Sequence, residues 1–143
     1  MSEKFRGRLD ADFCFVCGTE NPIGLRIAFR LEGEVCRAEF TPAGDHQGFD
    51  GITHGGILYS ALDDVMANWF FLRGGRAVTA KCQVRYLEPV PTGTPLRLES
   101  RMRMWKGRLA VLEGQALRRE DGCLMTEAEG TYVVSESGPE ETP

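Results

Sequence analysis

The sequence predicts an α+β fold in which an antiparallel sheet packs on one long helix. Three observations carry this prediction. Two short segments of alternating apolar and polar residues come first, a long segment with helical apolar spacing follows, and four strand-like segments come last. A sheet of about six strands can bury one apolar face on a single helix, so we expect one domain.

The first two strands precede the helix. Ile27, Phe29 and Leu31 alternate with Arg26, Ala28 and Arg30, which is the period of a strand. After the turn at residues 32–34, residues 35–40 are predicted as the returning strand, ending before a proline.

The helix follows a glycine-rich loop. Its apolar residues recur at steps of one, three and four over four turns, at Ile57, Leu58, Ala61, Leu62, Val65, Met66, Trp69 and Phe70. It is predicted to end near Arg73-Gly74-Gly75, where glycine is typical of a helix C-terminus. Four strands are then predicted over residues 77–87, 96–105, 109–118 and 123–134.

Length and composition limit the domain organisation. The 143 residues, 42% of them apolar and 27% charged, suit one globular domain with its own core. We expect a lead-in loop at residues 1–25, a folded domain at 26–134 and a disordered acidic tail at 135–143.

Charge and cysteine content exclude several classes of function. A net charge of −4 argues against nucleic-acid binding, which needs a basic face. The chain shows neither the apolar run of a signal peptide nor a segment of membrane-spanning length. The five cysteines have no disulfide-like spacing. We therefore expect a cytoplasmic protein that binds neither membranes nor nucleic acid.

The most informative motif is Thr53-His54-Gly55-Gly56, at the start of the helix. Two glycines there leave backbone N–H groups bare at the positive end of the helix dipole, which suits an oxyanion. Asp63 and Asp64, two turns further on, are candidate bases or nucleophiles. Oxyanion donors plus a carboxylate indicate acyl transfer to water.

Helix geometry indicates a site shared between two chains. Gly55 and Asp63 are eight residues apart, or about 12 Å along a helix axis, too far to act on the same carbonyl group. A two-fold axis between antiparallel helices would bring Gly55 of one subunit to Asp63 of the other. Tyr59, Ala67 and Phe71 share the outer helix face with Asp63, and a second subunit is the simplest cover for them.

Other candidates have competing interpretations. His54 could be a general base, but its position favours a structural hydrogen bond to the backbone. Asp64 could compete with Asp63, although it lies nearer the buried stripe. Cys14-x-x-Cys17 is half of a zinc-site motif without a second pair, so we interpret it as a packed loop and predict no metal site. Elemental analysis of the purified protein tests the metal alternative.

A family resemblance rests on His54-Gly55-Gly56-Ile57-Leu58, on Leu62-Asp63 and on the run from Val84 to Val90. These residues resemble the hotdog-fold acyl-CoA thioesterases, especially the phenylacetate-degradation type and related 4-hydroxybenzoyl-CoA thioesterases. The resemblance covers roughly residues 14–134. It implies a hotdog fold, with a six-stranded antiparallel sheet wrapped around one long central helix, and a homodimer or homotetramer.

The resemblance also implies residue roles. Asp63 is the implied nucleophile or general base, Gly55 N–H polarises the thioester carbonyl, and the Thr79 hydroxyl positions water. The residues implied to act with them are His54 in catalysis and Gly56, Gln47, Gly48 and Tyr59 in substrate binding. Coenzyme A enters only as part of the substrate, and no cofactor is implied.

One position departs from the family pattern. Many relatives carry His-x-Asn-x-x-Gly before His-Gly-Gly, whereas this chain has Gly48 in place of the asparagine. Either Gln47 or a backbone group substitutes for that amide, or thioester activation is weaker. The alternative functions are a non-catalytic acyl-CoA-binding module and, ranked lower, a hotdog hydratase or dehydratase.

Overall fold

Six strands and one long helix follow one another in the order that the sequence predicts. The computed structural model describes residues 11–135, so residues 1–10 of the predicted lead-in and 136–143 of the predicted tail lie outside the described residues. The strands are β1 (Arg30–Glu32), β2 (Val35–Phe40), β3 (Arg76–Tyr86), β4 (Leu96–Lys106), β5 (Leu109–Arg118) and β6 (Leu124–Ser135). Helix α1 (Gly55–Phe71) lies between β2 and β3.

The strands form one antiparallel sheet in the order β1-β2-β4-β5-β6-β3. Helix α1 packs on one face of this sheet and contacts every strand from β2 to β6. A long helix inside a curved antiparallel sheet buries the apolar side of both elements. The predicted α+β architecture is confirmed.

The first predicted strand is shorter than the alternation over residues 26–31 indicates, since only Arg30–Glu32 pairs with β2. Arg26 has a left-handed backbone, with φ of 56°, which interrupts the extended path. The N–H groups of Leu25 and Ile27 donate instead to carbonyl oxygens of the lead-in loop, at 2.8 and 2.9 Å. The N–H groups of Leu25 and Ile27 therefore bond to the lead-in loop, although the alternation of apolar residues predicts a strand of the sheet there.

Helix α1 begins at the predicted motif. His54 is its N-cap, and the Nδ1 atom of this side chain accepts a hydrogen bond from Gly56 N–H at 2.8 Å. The chain leaves the helix through Gly74, which has φ of 90°, as expected for glycine after a helix end. Within residues 11–135, no helix combines the length and apolar character that crossing a membrane requires.

The core lies between the inner face of α1 and the sheet. The largest fully buried side chains include Leu62, Met66, Leu96, Leu98, Leu112, Met125 and Tyr132. A buried hydroxyl joins the two layers, since Ser100 Oγ in β4 donates to the Val65 carbonyl oxygen at 2.6 Å. Its hydrogen bond satisfies a polar group that would otherwise destabilise the core.

Among residues 11–135, strand β3 forms one edge of the sheet and pairs only with β6. The pairing register shifts between Thr79 and Lys81, as at a β-bulge. The extra residue lets both Thr79 and Cys82 face the helix: Thr79 bonds to Asp63, and Cys82 packs against the core. The helix face predicted to need a second subunit is thus partly covered by β3 of the same chain.

We predict that Leu62→Ala lowers the free energy of unfolding by about 2–5 kcal/mol, because it leaves a cavity where a fully buried side chain was. Urea unfolding followed by circular dichroism measures this loss. Leu109→Ala is the matched control, since Leu109 is 53% exposed. Its cost should stay below about 1 kcal/mol, and equal losses for the two variants would contradict the position of the core.

Candidate active site around helix α1

The N-terminus of α1 presents one unpaired backbone N–H group. Gly55 N–H donates to none of the residues that the structure describes, whereas Gly56 N–H is bonded to His54 Nδ1. The expectation that both glycines have bare N–H groups is therefore corrected, because the N-cap takes one of them. Gly55 alone keeps a donor at the positive end of the helix dipole.

A cavity of about 750 Å³ opens at this helix end. Its lining combines the loop before the helix with the end of β3 and the segment after it, and it includes Gly48, Thr53, Gly55, Leu58, Tyr86 and Val90. Tyr86 donates its hydroxyl to the Gly55 carbonyl oxygen at 2.9 Å, which joins β3 to the start of the helix. The Oγ1 atom of Thr53 is buried without a hydrogen-bond partner among the described residues. The cavity therefore offers unpaired polar atoms beside apolar walls, as binding sites do.

Asp63 is half-buried on the side of α1 that faces β3 and β6. Two hydroxyl groups donate to the same carboxylate oxygen, Oδ1: Thr79 Oγ1 and Tyr132 Oη, each at 2.8 Å. Oδ2 accepts no hydrogen bond from the residues that the structure describes. The carboxylate is thus oriented by one oxygen and can react through the other.

Tyr132 donates to Asp63 from inside the core. Its side chain is fully buried, and burial, followed by the charge of Asp63, raises the pKa of the phenol well above its usual range. Tyr132 therefore remains a protonated donor. A Cβ atom at Gly130 would stand 2.6 Å from the Tyr132 ring, so glycine leaves the space that the ring occupies.

Gln47 and Gly48, the predicted substrate-binding residues of the loop before the helix, make contacts within that loop and with His54. Gln47 Nε2 donates to the Gly44 carbonyl oxygen at 2.8 Å, and Gln47 Oε1 accepts from Gly51 N–H. Gly48 packs against His54, whose Cα would lie 3.3 Å from an added Cβ. These contacts order the loop, and they use one N–H of the Gln47 amide and its oxygen.

Three further candidates have structural partners. His46 Nδ1 accepts from Ala43 N–H at 2.9 Å, and His54 Nδ1 caps the helix. Tyr59, on the Asp63 side of the helix, donates to the Cys82 carbonyl oxygen at 3.3 Å and is 38% exposed. Neither histidine is paired with a nucleophile or an acid among the residues that the structure describes.

The two neighbouring aspartates of α1 have different surroundings. Asp63 bonds to Thr79 and Tyr132, whereas both carboxylate oxygens of Asp64 lie 3.8 Å from Cys14 Sγ in the lead-in loop. A step of one residue turns a helix by about 100°, which directs the two side chains in different directions. Asp64 therefore does not share the two hydroxyl donors of Asp63.

Sequence reasoning missed Tyr132, Tyr86 and Thr53. Tyr132 alternates with Ala128 and Val134 on the inner face of β6, so the sequence marks it only as a core residue. Tyr86 stands in the run that resembles the family, yet no spacing rule links it to Gly55. Only the folded structure brings the two tyrosine hydroxyl groups to the helix, whereas Thr53 already stands in the sequence motif before it, without an assigned role.

The segment that carries helix α1, its N-terminal cavity and Asp63 also identifies the protein family. A family model described as the thioesterase superfamily matches residues 50–125, and the chain belongs to this family. The predicted hotdog fold and the resemblance to thioesterases are both confirmed. The matched segment contains α1, β3 and the cavity-lining residues between positions 52 and 90.

Individual relatives are similar over different lengths. Acyl-coenzyme A thioesterase THEM4 of Xenopus laevis is 30% identical over 95 residues, which are 66% of this chain and 42% of that protein. The chain thus spans less than half the length of that relative. A crystal structure of a thioesterase superfamily protein is 29% identical, with a TM-score of 0.76, and covers 82% of this chain and 61% of the other. The structure of a hypothetical thioesterase protein from Streptococcus pneumoniae, solved with coenzyme A, is 16% identical to this chain, with a TM-score of 0.72. The match covers 78% of this chain and 90% of that chain.

We predict that Tyr132→Phe lowers the free energy of unfolding by about 1.5–3 kcal/mol at neutral pH, because the lost hydroxyl donates to a carboxylate. Chemical denaturation measures the change. Tyr59→Phe is the matched control: its hydroxyl donates at 3.3 Å to a neutral carbonyl near solvent, so its loss should be the smaller of the two. A larger loss in the control would contradict the assignment of Tyr132 as the donor that fixes Asp63.

Proposed function

We propose that this chain is an acyl-CoA thioesterase, which hydrolyses a thioester to a free acid and coenzyme A. One observation carries the proposal: a single helix has an unpaired N–H group at its cavity-lining end, Gly55, and a hydroxyl-oriented carboxylate, Asp63, eight residues later. Those are the two groups that thioester hydrolysis needs, an oxyanion donor and a base or nucleophile.

Asp63 supplies the attacking group. Thr79 and Tyr132 hold Oδ1. Oδ2 is therefore the oxygen that acts on the substrate in this proposal. Oδ2 either takes a proton from water as the water attacks or bonds to the carbonyl carbon itself. In the second route an anhydride forms, the coenzyme A thiolate leaves, and water then cleaves the anhydride. Both routes end in a free acid and a protonated thiol.

Gly55 stabilises the charge that develops on the thioester oxygen. Its N–H group has no partner among the described residues and lies at the positive end of α1. A donor that is already oriented needs no rearrangement when the carbonyl becomes an oxyanion. The Thr53 hydroxyl, buried without a partner at the same cavity, is a second candidate donor.

The complete site requires two chains. About 12 Å of helix separates Gly55 from Asp63, and a single carbonyl cannot touch both. Within the described part of the chain, strand β3 has an unpaired edge, and its Val78 is 70% exposed. Edge-to-edge pairing of two β3 strands across a two-fold axis satisfies that edge and brings two α1 helices side by side in opposite directions.

Similar proteins support coenzyme A as the carrier of the acyl group. The Streptococcus pneumoniae thioesterase protein contains coenzyme A, and the Xenopus laevis relative is named an acyl-coenzyme A thioesterase. Alanine variants of the Streptococcus pneumoniae protein replace an aspartate and a threonine that stand sixteen positions apart, as Asp63 and Thr79 do here. This matching separation supports the pairing of those two residues.

A non-catalytic acyl-CoA-binding module is the second candidate function. The observation that favours it is the loop before the helix, where Gly48 replaces the family asparagine and the Gln47 amide is bonded to Gly44. Such a protein would bind acyl-CoA and release no thiol. A hydratase or dehydratase is less favoured, because His54 Nδ1 already caps the helix.

We expect Asp63→Asn to lower kcat/KM for acyl-CoA hydrolysis by at least about 100-fold, since the amide is neither a base nor a nucleophile. The measurement follows thioester absorbance across short, medium and aromatic acyl-CoAs, which avoids a thiol reagent in a protein with five cysteines. Coenzyme A binding, measured by calorimetry, should persist in the variant.

Asp45→Asn is the matched control, because Asp45 lies in the exposed 3-10 turn Gly44–His46. It should leave turnover unchanged. Binding without turnover in the native protein, across the whole substrate panel, would replace the thioesterase proposal with the binding module.

Gly55→Pro tests the oxyanion donor. Proline is well tolerated at the first position of a helix and after an extended residue such as His54, with ψ of 135°, but it has no N–H group. We expect kcat/KM to fall by about 100-fold or more. Gly55→Ala keeps the N–H group and places a Cβ at an ordinary 3.4 Å from Tyr86, so it should retain most activity. Equal losses of kcat/KM in the two variants would mean that crowding against Tyr86, and not loss of the N–H group, lowers the activity.

Mixing the two inactive variants tests the shared site. A dimer of one Asp63→Asn chain and one Gly55→Pro chain contains one intact site and one doubly altered site if the residues act across the two-fold axis. When equal amounts of the two variants pair at random, half of the dimers are heterodimers, and each has one intact site of two. The mixture should then show about a quarter of native activity. No recovery in demonstrated heterodimers would mean that each chain carries its own site.

A further inference from the structure

A second cluster of reactive side chains lies beside α1, where Asp64 points about 100° away from Asp63. The ligand atoms of Cys14, Cys17 and Asp64 all lie within 4.8 Å of one another. Cys14 Sγ is 3.8 Å from each oxygen of Asp64. The cysteines belong to the lead-in loop and the aspartate to the helix, so the cluster joins two segments that are 50 positions apart.

The loop around the cysteines has the form of a metal-binding turn. Cys17 N–H donates to Cys14 Sγ at 3.4 Å, and Gly18 N–H donates to the Cys14 carbonyl oxygen at 2.9 Å. An N–H group directed at sulfur stabilises the thiolate, which is the form that binds metals. A Cβ at Gly18 would stand 2.4 Å from the Asp12 carbonyl oxygen, so this tight turn depends on glycine.

Asn68 connects the cluster to the helix interior. Its side chain is 3% exposed, and Nδ2 donates to Asp64 Oδ2 at 3.1 Å while lying 3.8 Å from Cys17 Sγ. A neighbour that hydrogen-bonds a ligating carboxylate fixes the orientation of that ligand. Asn68 Oδ1, however, is buried and has no hydrogen-bond partner among the described residues. A buried oxygen without a donor is rare and requires a physical account.

A cavity of about 200 Å³ adjoins the cluster and is lined by Cys14, Cys17, Asp64 and Asn68. It has room for an ion with a water molecule. A water molecule bound to the ion is a good hydrogen-bond donor. Asn68 lines this cavity, and its Oδ1 atom lacks a donor among the described residues.

We propose that Cys14, Cys17 and Asp64 bind one thiophilic divalent cation of the zinc class, which joins the lead-in loop to helix α1. Tetrahedral zinc with Zn–S of about 2.3 Å and Zn–O of about 2.0–2.2 Å places its ligand atoms about 3.5–3.8 Å apart. The Cys14–Asp64 separation of 3.8 Å matches this spacing. Two thiolate ligands favour zinc over magnesium, calcium or manganese.

Binding is an exchange of protons for the ion. Each cysteine thiol releases its proton to solvent as the sulfur bonds to the metal, so affinity falls at low pH. The three protein ligands leave a fourth position for water. Asp64 is the residue after Asp63 in helix α1. An ion bound to Asp64 therefore stabilises the helical segment that carries the carboxylate of the proposed active site.

Elemental analysis of the full chain is the first test. The protein is expressed with added zinc, purified under reducing conditions without a metal-binding tag, and dialysed. We expect about one zinc per chain in the native protein and less than about a tenth of that in Cys14→Ser, Cys17→Ser and Asp64→Asn. Cys123→Ser and Asp45→Asn make the same chemical changes outside the cluster and should keep the metal.

Cobalt substitution is the second test, and it does not depend on the folding of any variant. Cobalt added to the native, chelator-treated protein should give the intense near-ultraviolet band of thiolate-to-cobalt charge transfer, together with the visible bands of a tetrahedral ion. Zinc added in excess should remove these bands and raise the Tm, because it binds the folded state.

The outcomes separate this proposal from the proposed function, because neither readout uses hydrolysis. Folded native protein that holds no zinc above the level of the three variants and gives no thiolate band with cobalt would overturn the site. A Cys14–Cys17 disulfide under the same reducing conditions would also overturn it, since both ligands would then be oxidised.

Discussion

Burial of helix α1 against a single curved sheet is the constraint on which the rest of the structure depends. Among residues 11–135, α1 is the one α-helix, and strands β2 to β6 all pack against it. Its inner residues, such as Leu62 and Met66, supply the centre of the core. Any polar group that the helix carries must therefore lie at an end or on a flank, where the sheet leaves room.

The two flanks of the helix serve different chemistry because consecutive residues point about 100° apart. Asp63 meets hydroxyl groups from β3 and β6, which orient its carboxylate without neutralising it. Asp64 meets sulfur atoms and an amide, which are groups that suit a bound cation. Neighbouring carboxylates in the sequence thus belong to separate sites, and rotation of the helix by even one residue would disturb both.

The edge strand β3 connects the core to the site. Its bulge near Thr79 lets a hydroxyl reach Asp63 while Cys82, beyond the bulge, still packs inward. Further along, Tyr86 bonds to the first residue of α1, so one strand contacts both functional regions of the helix. The free edge of β3 also provides the surface on which a second chain can complete the proposed site.

The sequence alone establishes the order of the elements, the start of α1 at its glycine pair and the approximate end of this helix, because periodicity and caps are local properties. It also determined the separation of Gly55 from Asp63, since helix geometry has a fixed rise. Two arrangements depend on tertiary packing: Tyr132 holds Asp63, and Asp64 lies beside Cys14 and Cys17. The backbone bond of His54 follows from its position before the helix, and the structure identifies Gly56 as its donor. These two tertiary contacts join residues that no spacing rule connects, and the packing of the helix against the sheet and the lead-in loop brings them together. The shortened β1 has the same cause, because the lead-in loop competes for hydrogen bonds that local alternation assigns to the sheet.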